Sequence, residues 1–121
     1  MNDVPSELVA RLQEARLAAA AQMAALGGPT SACAMGRDGR PFPAYKYHEG
    51  QAAAYGDLVR ALRRADLGEE LGVLDGELER ARAQAARYGA MGRDWESYAA
   101  GALDAALTAR ELLDAPDAPL D

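Results

Sequence analysis

The chain almost lacks the β-branched residues that a β-sheet needs. It has no isoleucine in its 121 residues, and β-branched side chains occur only at Val4, Val9, Thr30, Val59, Val73 and Thr108. Strands favour such side chains because they pack well on a pleated surface, whereas Ala, Leu, Arg, Glu and Gln favour helices. The sequence therefore predicts an all-α fold.

Helical periodicity divides the chain into four segments. Apolar residues recur every three or four positions along 3–26, 44–65, 66–88 and a last stretch that begins at Asp94, its predicted N-cap. Asp66 and Glu69 match a capping box that starts the third helix at Asp66, although Gly72 and Gly76 would delay that start to about Asp75. Four such segments predict a four-helix bundle.

A short motif occurs twice. The pentapeptide Ala-Met-Gly-Arg-Asp occupies 34–38 and 90–94, and each copy is followed by Tyr-x-x-Gly, at Tyr47 and Gly50 and at Tyr98 and Gly101. We therefore expect two αα-hairpin pseudo-repeats, with chance recurrence in a chain rich in Ala, Gly and Arg as the alternative. An Asp-Gly turn signal at 38–39 also allows a short β-hairpin at 32–42.

Charge and cysteine content limit the partners and the cellular location that we expect for the chain. Its formal net charge is −6, which disfavours nucleic-acid binding because it repels phosphate backbones. Cys33 is the single cysteine, so we expect a reducing, cytoplasmic location. The apolar run 17–26 is too short to span a membrane. The length predicts one helical domain at 1–113, and the prolines and acids of 114–121 predict a disordered acidic tail.

Small residues lie one helical turn apart in two places. Gly50 with Ala54 and Gly101 with Ala105 predict faces where a second helix backbone approaches closely, within the chain or in a second copy. Chance proximity in an alanine-rich chain is the alternative. Because alanines fill many predicted core positions and several Leu and Tyr side chains lie outside the apolar stripes, we expect a homodimer through the second or fourth helix.

Basic and aromatic residues surround the first motif. Guanidinium groups bind anions and aromatic rings stack on bases, which makes a candidate ligand site of Arg37, Arg40, Tyr45, Lys46, His48 and Arg93. The simpler interpretation is that these charges cap helix ends and are solvated. His48 has no second histidine to complete a metal site. No serine lies in a nucleophile motif, and no glycine-rich phosphate loop follows a strand. The sequence therefore predicts no catalytic residue, metal or cofactor.

These patterns favour a non-enzymatic interaction or regulatory module that self-associates and binds a protein partner whose identity the sequence does not give. The alternative hypothesis is a small-ligand or nucleic-acid-binding protein that uses the basic and aromatic segment 37–48.

Overall fold

A computed structural model of the chain describes residues 4–27 and 43–120. Within them lie four helices and no strand: α1 (Val4–Gly27), α2 (Pro43–Arg64), α3 (Glu70–Tyr88) and α4 (Arg93–Asp114). The prediction of an all-α fold with four helices is confirmed. The predicted β-hairpin at 32–42 lies outside the described residues.

Two predicted helix starts are wrong, and glycine is involved at both. Helix α3 begins at Glu70 rather than at Asp66 or Asp75, because the chain first makes a turn that includes Gly68 at φ +95°. The Glu69 carboxylate accepts a hydrogen bond from the Asp66 N–H at 3.0 Å, so only half of the predicted capping box forms. Helix α4 begins at Arg93, and its N-cap is Gly92 at φ +111° rather than Asp94.

Each outer helix runs antiparallel to the helix that follows it. Leu8 near the start of α1 packs in one cluster with Leu62 near the end of α2, so the two helices run in opposite directions. In the second hairpin, the Tyr88 ring at the end of α3 lies 5.6 Å from the Trp95 ring at the start of α4. The chain therefore forms two antiparallel helix pairs, α1–α2 and α3–α4, which we call hairpins; the short connection 89–92 makes the second an αα-hairpin in the strict sense.

The two hairpins pack through α2 and α4, which run parallel. Lys46 lies over the ring of Trp95 near the start of both helices. Nearer the end of both helices, the side chains of Tyr55 and Thr108 are hydrogen-bonded. Among the described helices the α2–α4 contact is the most extensive, while α1 packs mainly on α2 and α3 packs mainly on α4. In an ordinary up-down-up-down bundle α2 and α4 would lie diagonally across the core and would not touch along their backbones. Here they are in direct contact.

Large apolar side chains fill one end of the bundle, where α1 and α3 begin and α2 and α4 end. We call this the leucine end; its buried residues are Leu8, Leu12, Leu58, Leu62, Leu74 and Leu112. Each fully buried leucine contributes about 1.5–3 kcal/mol of transfer free energy. A smaller cluster of Leu78, Ala81 and Ala106 joins α3 to α4 nearer the middle.

The residues after α4 lie against the leucine end. Ala118 and Leu120 pack on its cluster, and the Arg11 guanidinium of α1 donates a hydrogen bond to the backbone carbonyl of Ala118. These contacts give the position of the segment. The disorder expected for 114–121 stays a prediction, which limited proteolysis would test.

Candidate functional site: the crossing of α2 and α4

Two glycines bring the backbones of α2 and α4 into contact. A methyl group placed on Gly50 would overlap the carbonyl oxygen of Tyr98 and come within 2.9 Å of its carbonyl carbon. A methyl group on Gly101 would overlap the carbonyl oxygen of Tyr47 and lie 3.1 Å from the backbone nitrogen of Gln51. The contact is reciprocal, since each glycine meets the tyrosine that precedes the other by three residues. We call Tyr47, Gly50, Tyr98 and Gly101 the crossing.

The alanines of the two small-residue pairs lie close to this contact. Ala105 is fully buried and belongs to the leucine-rich cluster, and Ala54 is partly buried against the same cluster. The faces predicted for helix packing are therefore occupied inside one chain. An interface between two copies needs a different surface in this arrangement.

Side chains beside the crossing form a polar group on one face. The Tyr47 hydroxyl donates a hydrogen bond to the Asp104 carboxylate, and the Tyr47 ring makes an edge contact with the His48 ring at 5.3 Å between centroids. His48 Nδ1 lies 2.8 Å from the Gln51 side-chain oxygen. Burial raises the pKa of Tyr47 above its ordinary value, and the bond to Asp104 raises it further. The Tyr47 hydroxyl is therefore protonated at neutral pH.

An aromatic cluster covers the other side of the crossing. Trp95 makes edge contacts with Tyr88 at 5.6 Å and with Tyr98 at 5.8 Å between ring centroids. The Lys46 ammonium lies 5.2 Å from the Trp95 ring centroid and pairs with Glu49 at 2.8 Å. Trp95 is 41% exposed, so the cluster is partly open to solvent.

The structure brings together part of the predicted ligand set. Arg37 and Arg40 lie outside the described residues. Tyr45, Lys46 and His48 lie on the first turns of α2, and Arg93 is the exposed first residue of α4. Lys46 and His48 are engaged by Glu49 and Gln51 of their own helix. Ligand binding through the set stays a prediction.

Sequence reasoning placed the self-association surface on α2 or α4 and not on the exposed second half of α1. Residues 17–26 carry no charged side chain, yet Leu17 is 65% exposed and Leu26 is 46% exposed. Beside this face, a shallow groove of about 580 Å³ runs between α1 and α2 over Ala20, Ala52 and Gly56. The absence of charge over these residues was the available signal.

A second groove runs between α2 and α3, with α4 as its floor. It encloses about 450 Å³, and its apolar walls include Ala54, Ala81, Ala102 and Ala106. It exists because α2 and α3 make little contact with each other while both pack on α4. We call it the α2–α3 groove.

Two other kinds of site receive no support from the described residues. Within 4–27 and 43–120, no three His, Cys, Asp or Glu side chains are grouped so that they could hold a metal ion. None of the helices in this part of the chain is both long and apolar enough to cross a membrane.

Comparisons with known protein families, with curated proteins and with solved structures find no match for this chain.

Proposed function

We propose that this protein is a non-enzymatic interaction module that forms a homodimer through α1. The observation that carries the proposal is the uncharged, exposed face of residues 17–26. A helical stretch without charge and with a single polar residue, here Gln22, is usually covered on more than one side. In the monomer only one side of this stretch is covered, since Ala19 is buried while Leu17, Ala20 and Ala21 are exposed.

A second copy of the chain suits this face. In a two-fold contact the same patch meets itself, so an uncharged patch avoids the repulsion expected between two molecules of net charge −6. Antiparallel packing of two α1 helices about Ala21 would place Arg16 of each copy beside the last turn of the other. That turn carries no basic residue, so its carbonyl groups can accept hydrogen bonds from the guanidinium.

Light scattering after size-exclusion chromatography tests the interface. Leu17→Glu would place a carboxylate in the apolar contact, and we expect dimer affinity to fall at least roughly tenfold, since burying an unpaired charge costs several kcal/mol. Leu67→Glu is the matched control, because Leu67 is 76% exposed and lies in the α2–α3 connection. The control should remain a dimer.

Three results would contradict the proposal. A wild-type monomer at high concentration would end the homodimer hypothesis. Dimerisation that survives Leu17→Glu would exclude the α1 face, and dimerisation lost only in Leu67→Glu would move the interface to the α2–α3 connection. Circular dichroism of each variant separates loss of association from loss of folding.

We also propose that the two hairpins arose by duplication of one αα-hairpin. The reciprocal contact at the crossing supports this, since Gly50 meets Tyr98 as Gly101 meets Tyr47. The two tyrosine side chains differ, because Tyr47 bonds to Asp104 while Tyr98 packs on Trp95. If the halves are equivalent, Gly50→Ala and Gly101→Ala should lower the free energy of unfolding by similar amounts, because each added methyl group meets a tyrosine carbonyl oxygen. Clearly unequal losses would count against duplication.

The proposed setting is the cytoplasm. Its support is the single cysteine, Cys33, which leaves the chain without a possible internal disulfide and suits a reducing compartment.

A further inference from the structure

The α2–α3 groove has the size and composition of a small-molecule site. Its volume of about 450 Å³ falls within the roughly 300–1,000 Å³ typical of ligand pockets. Because much of its wall is alanine, no long side chain from those positions fills the space between the helices. An apolar ligand body would therefore contact the walls directly.

Three polar side chains gather toward one end of the groove. Gln84 and Arg87 lie one turn apart on α3, and Tyr98 lies on α4 close to where Tyr88 packs. Among residues 6–26 and 43–120, none of these three side chains makes a hydrogen bond or ion pair with another residue. Burial raises the pKa of Tyr98, so its hydroxyl is protonated and able to donate.

The other charged residues that line the groove form ion pairs on their own helices. Glu77 pairs with Arg80 on α3, and Asp57 pairs with Arg60 on α2. Arg87 is therefore the groove's uncompensated charge among the described residues, and it is positive. A guanidinium fork matches a carboxylate in two parallel hydrogen bonds.

We propose that the α2–α3 groove binds a small amphipathic carboxylate. Its apolar body lies along Ala54, Ala81, Ala102 and Ala106, and its carboxylate is held by Arg87 with hydrogen bonds from Gln84 and Tyr98. This binding function is separate from self-association, because the groove is lined by α2, α3 and α4 and includes no residue of α1.

Titration with straight-chain carboxylates tests the proposal on the full-length protein. Octanoate, nonanoate and decanoate are added below their micelle concentrations, and binding is followed by calorimetry and by amide chemical shifts. Each added methylene should tighten binding by up to roughly fourfold, since burying one contributes about 0.8 kcal/mol. Shifts should concentrate on 50–58, 77–87 and 98–106.

Variants separate the carboxylate contact from apolar adsorption. Arg87→Gln should weaken decanoate binding at least roughly tenfold, as expected for the loss of a charged hydrogen-bond pair. Arg63→Gln is the matched control, because Arg63 is an exposed arginine of α2 that does not line the groove. Decanol, which has the same chain without the charge, should bind more weakly than decanoate to wild type and about equally to wild type and Arg87→Gln.

Several outcomes would overturn the proposal. One is that none of the three carboxylates shows saturable binding, and another is that decanol and decanoate bind wild type equally. The proposal is also wrong if Arg87→Gln and Arg63→Gln weaken binding equally, or if the chemical shift changes are confined to α1. Circular dichroism of each variant confirms that a loss of binding is not a loss of fold.

Discussion

The two ends of this bundle are packed in different ways. At the leucine end, side chains from all four helices interdigitate, and Leu12 and Leu74 have no exposed surface. At the crossing, α2 and α4 meet backbone to backbone, with Gly50 and Gly101 each against a tyrosine carbonyl. The two hairpins are thus held together by packed leucine side chains at one end and by direct backbone contact at the other. That backbone contact is possible because glycine has no side chain.

The difference predicts opposite tolerances to substitution. A core filled by flexible side chains accepts changes that conserve volume, usually at a cost below about 1.5 kcal/mol. A contact between two backbones has no side chain that can move aside, so even one added methyl group must push the helices apart. The leucine end should therefore be sensitive to lost atoms and the crossing to gained ones.

Removing volume at the leucine end should have the largest effect. Leu74→Ala is expected to lower the free energy of unfolding by about 3–5 kcal/mol, because it removes buried methyl groups and leaves a cavity. Leu71→Ala, three residues earlier on the same helix and 45% exposed, is the control and should cost less than about 1 kcal/mol. Urea unfolding measures both. Similar losses would mean that the leucine end is not a packed core.

Adding volume at the crossing should have the next largest effect. Gly101→Ala is expected to lower the free energy of unfolding by about 1–3 kcal/mol, even though alanine is the better helix former. Gly72→Ala is the matched control, since a methyl group there meets no atom within 4 Å, and it should raise stability by about 0.5–1 kcal/mol. A stabilising Gly101→Ala would show that the two backbones are not in contact.

The smallest effect concerns the hydrogen bond beside the crossing. Tyr47→Phe removes the bond to Asp104 and should cost about 0.5–1 kcal/mol at neutral pH, because the bond is partly exposed. The raised pKa of Tyr47 means that the folded chain holds this proton more tightly than the unfolded chain. The stability difference between wild type and Tyr47→Phe should therefore be constant from pH 7 to about pH 10 and shrink as pH rises further.

Urea unfolding of both proteins between pH 7 and pH 11 checks that dependence. Subtracting the variant removes the contributions of Tyr55 and Tyr98, whose pKa values burial also raises. A difference that grew with pH would contradict the assigned direction of the shift.

Local signals in the sequence predicted the fold class and the four helices. Composition and periodicity act within a few turns of helix, so they are readable without knowing the partners of a segment. The starts of α3 and α4 were misplaced because Gly68 and Gly92 adopt positive φ, which propensity alone does not indicate. Asp66 and Asp94 are therefore not the N-caps that their positions predicted.

Features that depend on distant residues were harder to predict. The sequence identified Gly50 and Gly101 as positions where a second helix packs closely. Their spacing from Ala54 and Ala105 on their own helices did not indicate whether that second helix belongs to the same chain or to another copy. The α2–α3 groove depends on how far α2 stands from α3, and no pattern within either helix encodes that distance. The exposed face of α1 was readable in principle, since its lack of charge is plain in 17–26.

The parallel contact of α2 and α4 also has an electrostatic consequence. Two parallel helices place their dipoles side by side, so positive ends repel at the crossing end and negative ends repel at the leucine end. Helix α4 carries Asp94 and Glu96 in its first turn but no basic residue in its last, whereas α2 carries Arg63 and Arg64 in its last turn but no acid in its first. The favourable charges are thus divided between the two helices, acids at the start of α4 and arginines at the end of α2, so each helix supplies at one end of the pair the charge that the other lacks there.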